Sequence, residues 1–230
     1  KAEGVCKIDS FVSQEKILEL NKEFDRFLSK DHIGAPLTPY SEGKCVRVYR
    51  DKFNKDEFPK TTEFFYNQLF DNIATNYLDE KVSLNEEIFL VKDVIGSRHI
   101  ANDLHYDVVK TFKFFLYLID TTEKNGAFKC VPGSHKKTAE YRNEKEKEIS
   151  FENRYITRDL DTALFEPAIS IEGYAGTLVI FDSDTWHQAG KVSEGERRVM
   201  RGHTRPLSRI QNSNPFPKQN IFKRIIGKIK

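Results

Sequence analysis

The sequence predicts one mainly β domain, a sandwich or barrel of antiparallel strands with helices flanking its N-terminal part. Three observations lead there. The 230 residues include 18 Phe, 9 Tyr and 1 Trp. A chain that is only 38% hydrophobic and 31% charged therefore still carries enough bulky core material to offset the entropy of ordering. Positions 1–85 hold two stretches with apolar side chains at helical spacing. From residue 86 onward, short runs of aromatic and β-branched residues alternate with Gly and Pro turn signals, the texture of an antiparallel sandwich or barrel.

In order along the chain, residues 5–8 form a short, partly apolar strand. Ser13 then caps a helix carrying Ile17, Leu20, Phe24, Phe27 and Leu28 on one stripe. Glu15 in its first turn suits the helix dipole. A loop comes next, and a second helix is expected over 61–77, with Phe65, Leu69, Ile73 and Tyr77 in line and Phe64 and Phe70 beside them. The whole of 1–85 reads as helical support. The core of the barrel is expected over 86–209, with strands at 87–92, 111–119, 127–131, 168–171, 177–181 and 197–204. Asn125-Gly126, Pro132-Gly133, Glu172-Gly173, Ala175-Gly176 and Glu194-Gly195 punctuate them. The segment 136–163 interrupts that pattern with Lys136-Lys137 and an alternating Glu/Lys run. It reads as an exposed excursion between two halves of the barrel, either a solvated surface or a lid over a site.

Composition narrows the partners. Lys and Arg number 37 against 35 Asp and Glu, a net charge of +2, so no global field recruits nucleic acid. No apolar run approaches the roughly 20 residues that cross a bilayer. The three cysteines, Cys6, Cys45 and Cys130, fit neither a disulfide framework nor a zinc knuckle, so reduced thiols and a cytoplasmic setting are expected. The chain opens at Lys1, which leaves an upstream leader open. Residues 210–230 form a basic, weakly amphipathic tail, packed on the domain or solvated, with weak contact to an anionic membrane surface as the sharper reading. The domain is expected to be a monomer or a homodimer.

Among six histidines, two have company that matters. In Leu104-His105-Tyr106-Asp107 the imidazole and the carboxylate stand two apart, and on an extended strand positions i and i+2 share a side, so the pair can grip one ion. His187, after the strand at 177–181, is the best third donor. Two His and one carboxylate on one face leave three octahedral positions open, the arrangement that ferrous iron needs to bind a co-substrate and dioxygen. An isolated His-x-Asp is weak. The downstream residues strengthen it: an aromatic strand, Asn125-Gly126, Pro132-Gly133-Ser134-His135, Trp186-His187, and Arg197-Arg198.

Taken together in that order, these residues resemble the phytanoyl-CoA dioxygenase family of iron(II)- and 2-oxoglutarate-dependent oxygenases, over about residues 5–204. Family members carry His-x-Asp, an Asn-Gly, a Pro-Gly-Ser-His turn, a distal His and an Arg eleven residues beyond it, which is Arg198 here. The resemblance implies a double-stranded β-helix, the jelly-roll or cupin-like barrel, with helices packed on one side. It implies iron(II) held by His105, Asp107 and His187, with 2-oxoglutarate and dioxygen as co-substrates. The intact Asp107 resembles hydroxylases rather than halogenases, which replace that acid. Arg198 would then pair with the far carboxylate of 2-oxoglutarate, since a planar guanidinium suits a bidentate grip.

Arg197 competes with it. Alternation sets Arg198, Met200 and Gly202 on one face and Arg197, Val199 and Arg201 on the other, and the less charged face is expected to be the interior. Phe115 and Tyr117 would wall the 2-oxoglutarate pocket or serve as core, and Lys113 on their face offers charge or meets water. Asn102, Tyr106 and Trp186 flank the ligands and are candidates to touch substrate. His135 reads as a structural turn residue, and His99 and His203 as ordinary. The chain departs from many relatives after the distal His, where Gln188-Ala189-Gly190-Lys191-Val192-Ser193 replaces an Asn and a Ser. The resemblance implies oxidative decarboxylation of 2-oxoglutarate coupled to hydroxylation of a small molecule, and the polar 136–163 segment favours a polar one. Two other readings stay open: a jelly-roll binding module without catalysis, and a barrel enzyme using the same triad for another divalent metal.

Overall fold

The computed structural model describes residues 1–29, 35–36, 42–49, 54–83, 87–98, 100–107, 110–145 and 167–207. Its strands are β1 (Val5–Ile8), β2 (Ala35–Pro36), β3 (Lys44–Tyr49), β4 (Val82–Ser83), β5 (Glu87–Val94), β6 (Phe112–Tyr117), β7 (Phe128–Cys130), β8 (Ile169–Ile171), β9 (Leu178–Asp182), β10 (His187–Gln188) and β11 (Glu196–Pro206). The helices are α1 (Gln14–Ser29), α2 (Pro59–Phe65), α3 (Gln68–Leu78) and α4 (His135–Lys145). The expected excursion over 136–163 begins as α4; its remainder, and the tail over 210–230, lie outside the described residues.

Among the described residues the strands make two antiparallel sheets. The larger runs β1-β9-β6-β11-β5-β3-β2, with β4 also on β11, and the smaller runs β10-β7-β8. They pack face to face through Phe115, Tyr117, Val179, Phe181 and Val199 of the larger sheet and Phe128 and Cys130 of the smaller. This is the expected jelly-roll architecture, mainly β with flanking helices.

The outer face of the larger sheet is closed by helices. Ile17, Leu20, Phe24 and Phe27 of α1, Phe64 and Phe65 of α2 and Phe70 and Ala74 of α3 pack with Val48, Leu90, Phe112, Phe114, Leu116, Ile180 and Met200. Strand β6 is consequently buried at every residue, because Phe112, Phe114 and Leu116 meet the helices while Phe115 and Tyr117 meet the smaller sheet.

The structure departs from the sequence expectation in two places. Residues 61–77 are not one helix. The chain breaks at Tyr66-Asn67, where the Asn67 side chain accepts the Leu69 N–H at 2.9 Å and caps α3. The break rotates the stripe, so Phe70 and Ala74 are buried while Leu69 is 43% exposed. The buried carboxylate of Glu23 on α1 caps α2 in turn, accepting from Lys60 N (2.9 Å), Thr61 N (2.8 Å) and the Thr61 hydroxyl (2.7 Å). The N-terminal part is also more than helical support, because β1 pairs with β9 and β3 with β5 inside the larger sheet.

Candidate metal centre

His105 and His187 face each other across an isolated antiparallel bridge, exchanging backbone bonds of 3.0 and 2.7 Å. Asp107 N–H donates to Ser183 O at 3.1 Å, and Thr111 N–H to the Ser183 hydroxyl at 2.8 Å. The turn between β9 and β10 thus grips the segment preceding β6 and brings His105 and His187, far apart in sequence, side by side. The ligand atoms of His105, Asp107 and His187 lie within 4.8 Å of one another. Asp107 Oδ1 is 3.8 Å from His105 Nε2 and 3.7 Å from His187 Nε2.

The donor set suits a divalent transition metal. His105 Nδ1 is 2.6 Å from Asp103 O, and His187 Nδ1 is 2.7 Å from Thr185 O. A carbonyl only accepts, so both Nδ1 atoms carry the proton and both Nε2 lone pairs face the cluster. Such carbonyl bonds fix tautomer and ring orientation around metal sites. Burial lowers the pKa of both imidazoles, His187 far below the usual histidine value, with nearby positive charge adding to the effect; both rings are held neutral, as ligands must be. Burial alone would raise the Asp107 carboxyl, but the charged surroundings, the Lys113 ammonium foremost, outweigh it and hold it well below the usual carboxylate range. Lys113, itself buried, places its ammonium 2.5 Å from Asp107 Oδ2, and the Thr111 hydroxyl lies 3.3 Å from the same oxygen. One carboxylate oxygen is therefore tied to the protein while the other faces the imidazoles.

Two of the expected neighbours face elsewhere. Tyr106 and Trp186 point away from the ligands, as alternation requires, and are buried with Val131 and Tyr141 beneath α4. Trp186 Nε1 donates to the Thr138 hydroxyl at 3.1 Å, so these aromatics brace the ligand segments. Asn102 donates to Ala189 O at 3.3 Å. The Tyr117 hydroxyl donates to Ile171 O at 2.7 Å and accepts from Phe128 N at 3.2 Å, bonding the two sheets together. Phe115 lies among Phe128 and Phe181 on the inner face. His135 Nε2 is 3.1 Å from Lys1 O, and His203 stacks on Phe89 at 4.6 Å. His99 and His32 lie outside the described residues.

Arg198 is the main correction. It lies on the helix side of β11, where Nε donates to Glu196 (2.6 Å), Nη1 donates to Asp25 (2.9 Å) and Asn21 (3.3 Å), and the guanidinium covers Phe24 at 5.6 Å. The reason is that both faces of β11 are covered, one by helices and one by the smaller sheet. The charge-poor Met200 face belongs under the helices, and the face of Arg197, Val199 and Arg201 looks into the barrel. Arg197 is committed there to Asp93 and to Gly126 O. Arg201 stacks on Phe89 (4.6 Å) and Phe115 (5.6 Å), and its buried Nε has no hydrogen-bond partner. Its charge contributes to the lowered pKa of His105. The available signal was α1: an amphipathic helix must cover one sheet face, and the apolar face of β11 is the one that matches it.

The sequence pattern of the phytanoyl-CoA dioxygenase (PhyH) family matches residues 1–199. The chain belongs to the phytanoyl-CoA dioxygenase family. It is thereby an enzyme of the iron(II)- and 2-oxoglutarate-dependent oxygenase class, with dioxygen as co-substrate. No curated protein matches it. Solved structures share the fold of this family member. The non-haem α-ketoglutarate-dependent carbocyclase SnoK from nogalamycin biosynthesis is 16% identical, with a TM-score of 0.64 over 88% of this chain and 79% of that one. EctD from S. alaskensis, with bound Fe, is 14% identical, with a TM-score of 0.62 over 90% and 74%. HygX from Streptomyces hygroscopicus, with nickel and 2-oxoglutarate bound, is 14% identical, with a TM-score of 0.58 over 90% and 84%. Among the described residues no helix is long and apolar enough to cross a membrane.

Proposed function

We propose that this chain hydroxylates a small polar molecule, with His105, Asp107 and His187 as the iron ligands and Arg201, in place of Arg198, as the clamp for 2-oxoglutarate. The observation that carries the reading is the convergence of two Nε2 lone pairs and one carboxylate oxygen, with both Nδ1–H groups committed to backbone carbonyls. Iron(II) bound there would supply dioxygen activation, which protein side chains do not provide. In the net reaction one oxygen atom enters succinate as 2-oxoglutarate loses carbon dioxide, and the other becomes the hydroxyl of the product. Lys113 and Thr111 hold Asp107 Oδ2, which leaves Oδ1 as the oxygen that would hold the metal beside the two imidazoles. Arg201 is aligned with Phe115, two residues along β6 from Lys113, a separation of about 6.7 Å. That span suits a five-carbon dicarboxylate lying from the triad to a guanidinium, and stacking on two aromatic rings keeps the planar fork oriented. Phe115, Phe128 and Phe181 exclude water beside it.

The test is anaerobic: iron(II) and then 2-oxoglutarate are added to the apoprotein and the visible spectrum is recorded. A weak charge-transfer band requiring both, and absent in His187→Ala, supports the assignment, with succinate release over a panel of small polar molecules as the next readout. No band, together with no 2-oxoglutarate binding by calorimetry, overturns it.

A further inference from the structure

The inner face of the larger sheet carries a second guanidinium that the proposed chemistry leaves unused. The cross-strand register aligns Arg47 of β3 with Phe89 of β5, Phe89 with Arg201 of β11, and Arg201 with Phe115 of β6. Aligned residues in a sheet point to the same face, so Arg47 and Arg201 share one row of the barrel wall, with Phe89 between them. Two strand spacings separate their backbones, about 10 Å. The charges of Arg47 and Arg201 both act on the Cys45 thiol, which lies 4.0 Å from Arg201 Nη2. Arg47 covers the Tyr49 ring at 5.0 Å, and its Nε, like that of Arg201, is buried without a hydrogen-bond partner.

Among the described side chains, the charges on this face do not cancel. Among the described residues, Arg197 is neutralised by Asp93 and Lys113 by Asp107, while neither Arg47 nor Arg201 has a carboxylate partner. 2-Oxoglutarate brings one distal carboxylate, which satisfies Arg201. Arg47 beside it is half-buried, and its Nε–H, buried without an acceptor, is costly unless a ligand oxygen accepts it. Resting on the proposed function, we infer that Arg47 receives an anionic group of the substrate, a carboxylate or a phosphate, so that this enzyme oxidises a small anion rather than a neutral molecule. The guanidinium fork suits either group, and its stacking on Tyr49 holds it ready.

The test uses full-length protein loaded with cobalt(II), saturated with 2-oxoglutarate and studied by calorimetry. The probes are small carboxylates paired with their own amides, and phosphate monoesters paired with their own alcohols. At least one class of anion is expected to bind about tenfold more tightly than its neutral twin, and which class does so separates a carboxylate from a phosphate substrate. Arg47→Gln should erase that preference while changing 2-oxoglutarate affinity less than about twofold, and Arg47→Lys, which keeps the charge without the fork, should retain part of it. The inference is overturned if no anion outbinds its twin in the wild type, or if Arg47→Gln keeps the preference. It is also overturned if Arg47→Gln loses 2-oxoglutarate as severely as an Arg201 variant does, because Arg47 would then belong to the co-substrate clamp. Failure of the wild type to bind 2-oxoglutarate at all is a separate result and removes the proposed function beneath it.

Discussion

Arg201→Met should weaken 2-oxoglutarate binding by about two orders of magnitude, whereas Arg198→Met should leave it within about twofold. The magnitude comes from what each guanidinium already holds. Arg201 Nε is buried with no acceptor, so a carboxylate arriving in a bidentate pose adds two charge-assisted bonds and displaces at most the long Nη2–Cys45 Sγ contact of 4.0 Å. At about 1.5 kcal/mol each, the pair is worth about 3 kcal/mol, or roughly 150-fold in Kd. Arg198 is already occupied by Glu196, Asp25 and Asn21 on the helix side of the sheet. Its loss breaks ion pairs in which the Asp25 side chain is 59% exposed, a stability change of about 1 kcal/mol or less. Calorimetric titration of 2-oxoglutarate into cobalt(II)-loaded protein under anaerobic conditions reads both variants, and methionine in each keeps the stem that packs on the neighbouring rings. If Arg198→Met abolished binding while Arg201→Met did not, the assignment of the inner face of β11 would be wrong.

Two further outcomes test the scaffold. Glu23→Ala leaves the N–H groups of Lys60 and Thr61 without the acceptor that caps α2, and should destabilise the fold by about 2–3 kcal/mol in urea denaturation, with 2-oxoglutarate affinity of the folded fraction unchanged. Burial raises the pKa of both buried thiols, and that of Cys130 is pushed up to about 12. At pH 8 an aromatic disulfide reagent should therefore titrate exposed Cys6 quickly and reach Cys45 and Cys130 only after unfolding; rapid labelling of all three would contradict the packing of β3 and β7.

The grouping of His105, Asp107 and His187 was legible because its information is local. His105 and Asp107 stand two apart, and the Trp186-His187 pair comes after a strand-and-turn pattern; chemistry, spacing and order suffice to nominate them. Strand β3 was not legible. Lys44-Cys45-Val46-Arg47-Val48-Tyr49 alternates, but its inner positions include a cysteine and an arginine rather than the apolar residues that mark a core face, because that face lines a site. The break at Asn67 was equally hidden, since Phe65 and Leu69 keep helical spacing across it and only the side-chain cap reveals the interruption.

What the sequence alone determined was the class of fold, the three candidate ligands and the existence of two faces on β11, all consequences of residue type and a two-residue period. Which face looks inward was decided only by the tertiary structure. Periodicity separates the two sides of a strand but carries no sign. The sign comes from what each side is packed against, and here helices α1, α2 and α3 cover the apolar side and leave Arg47, Lys113 and Arg201 on the wall of the barrel.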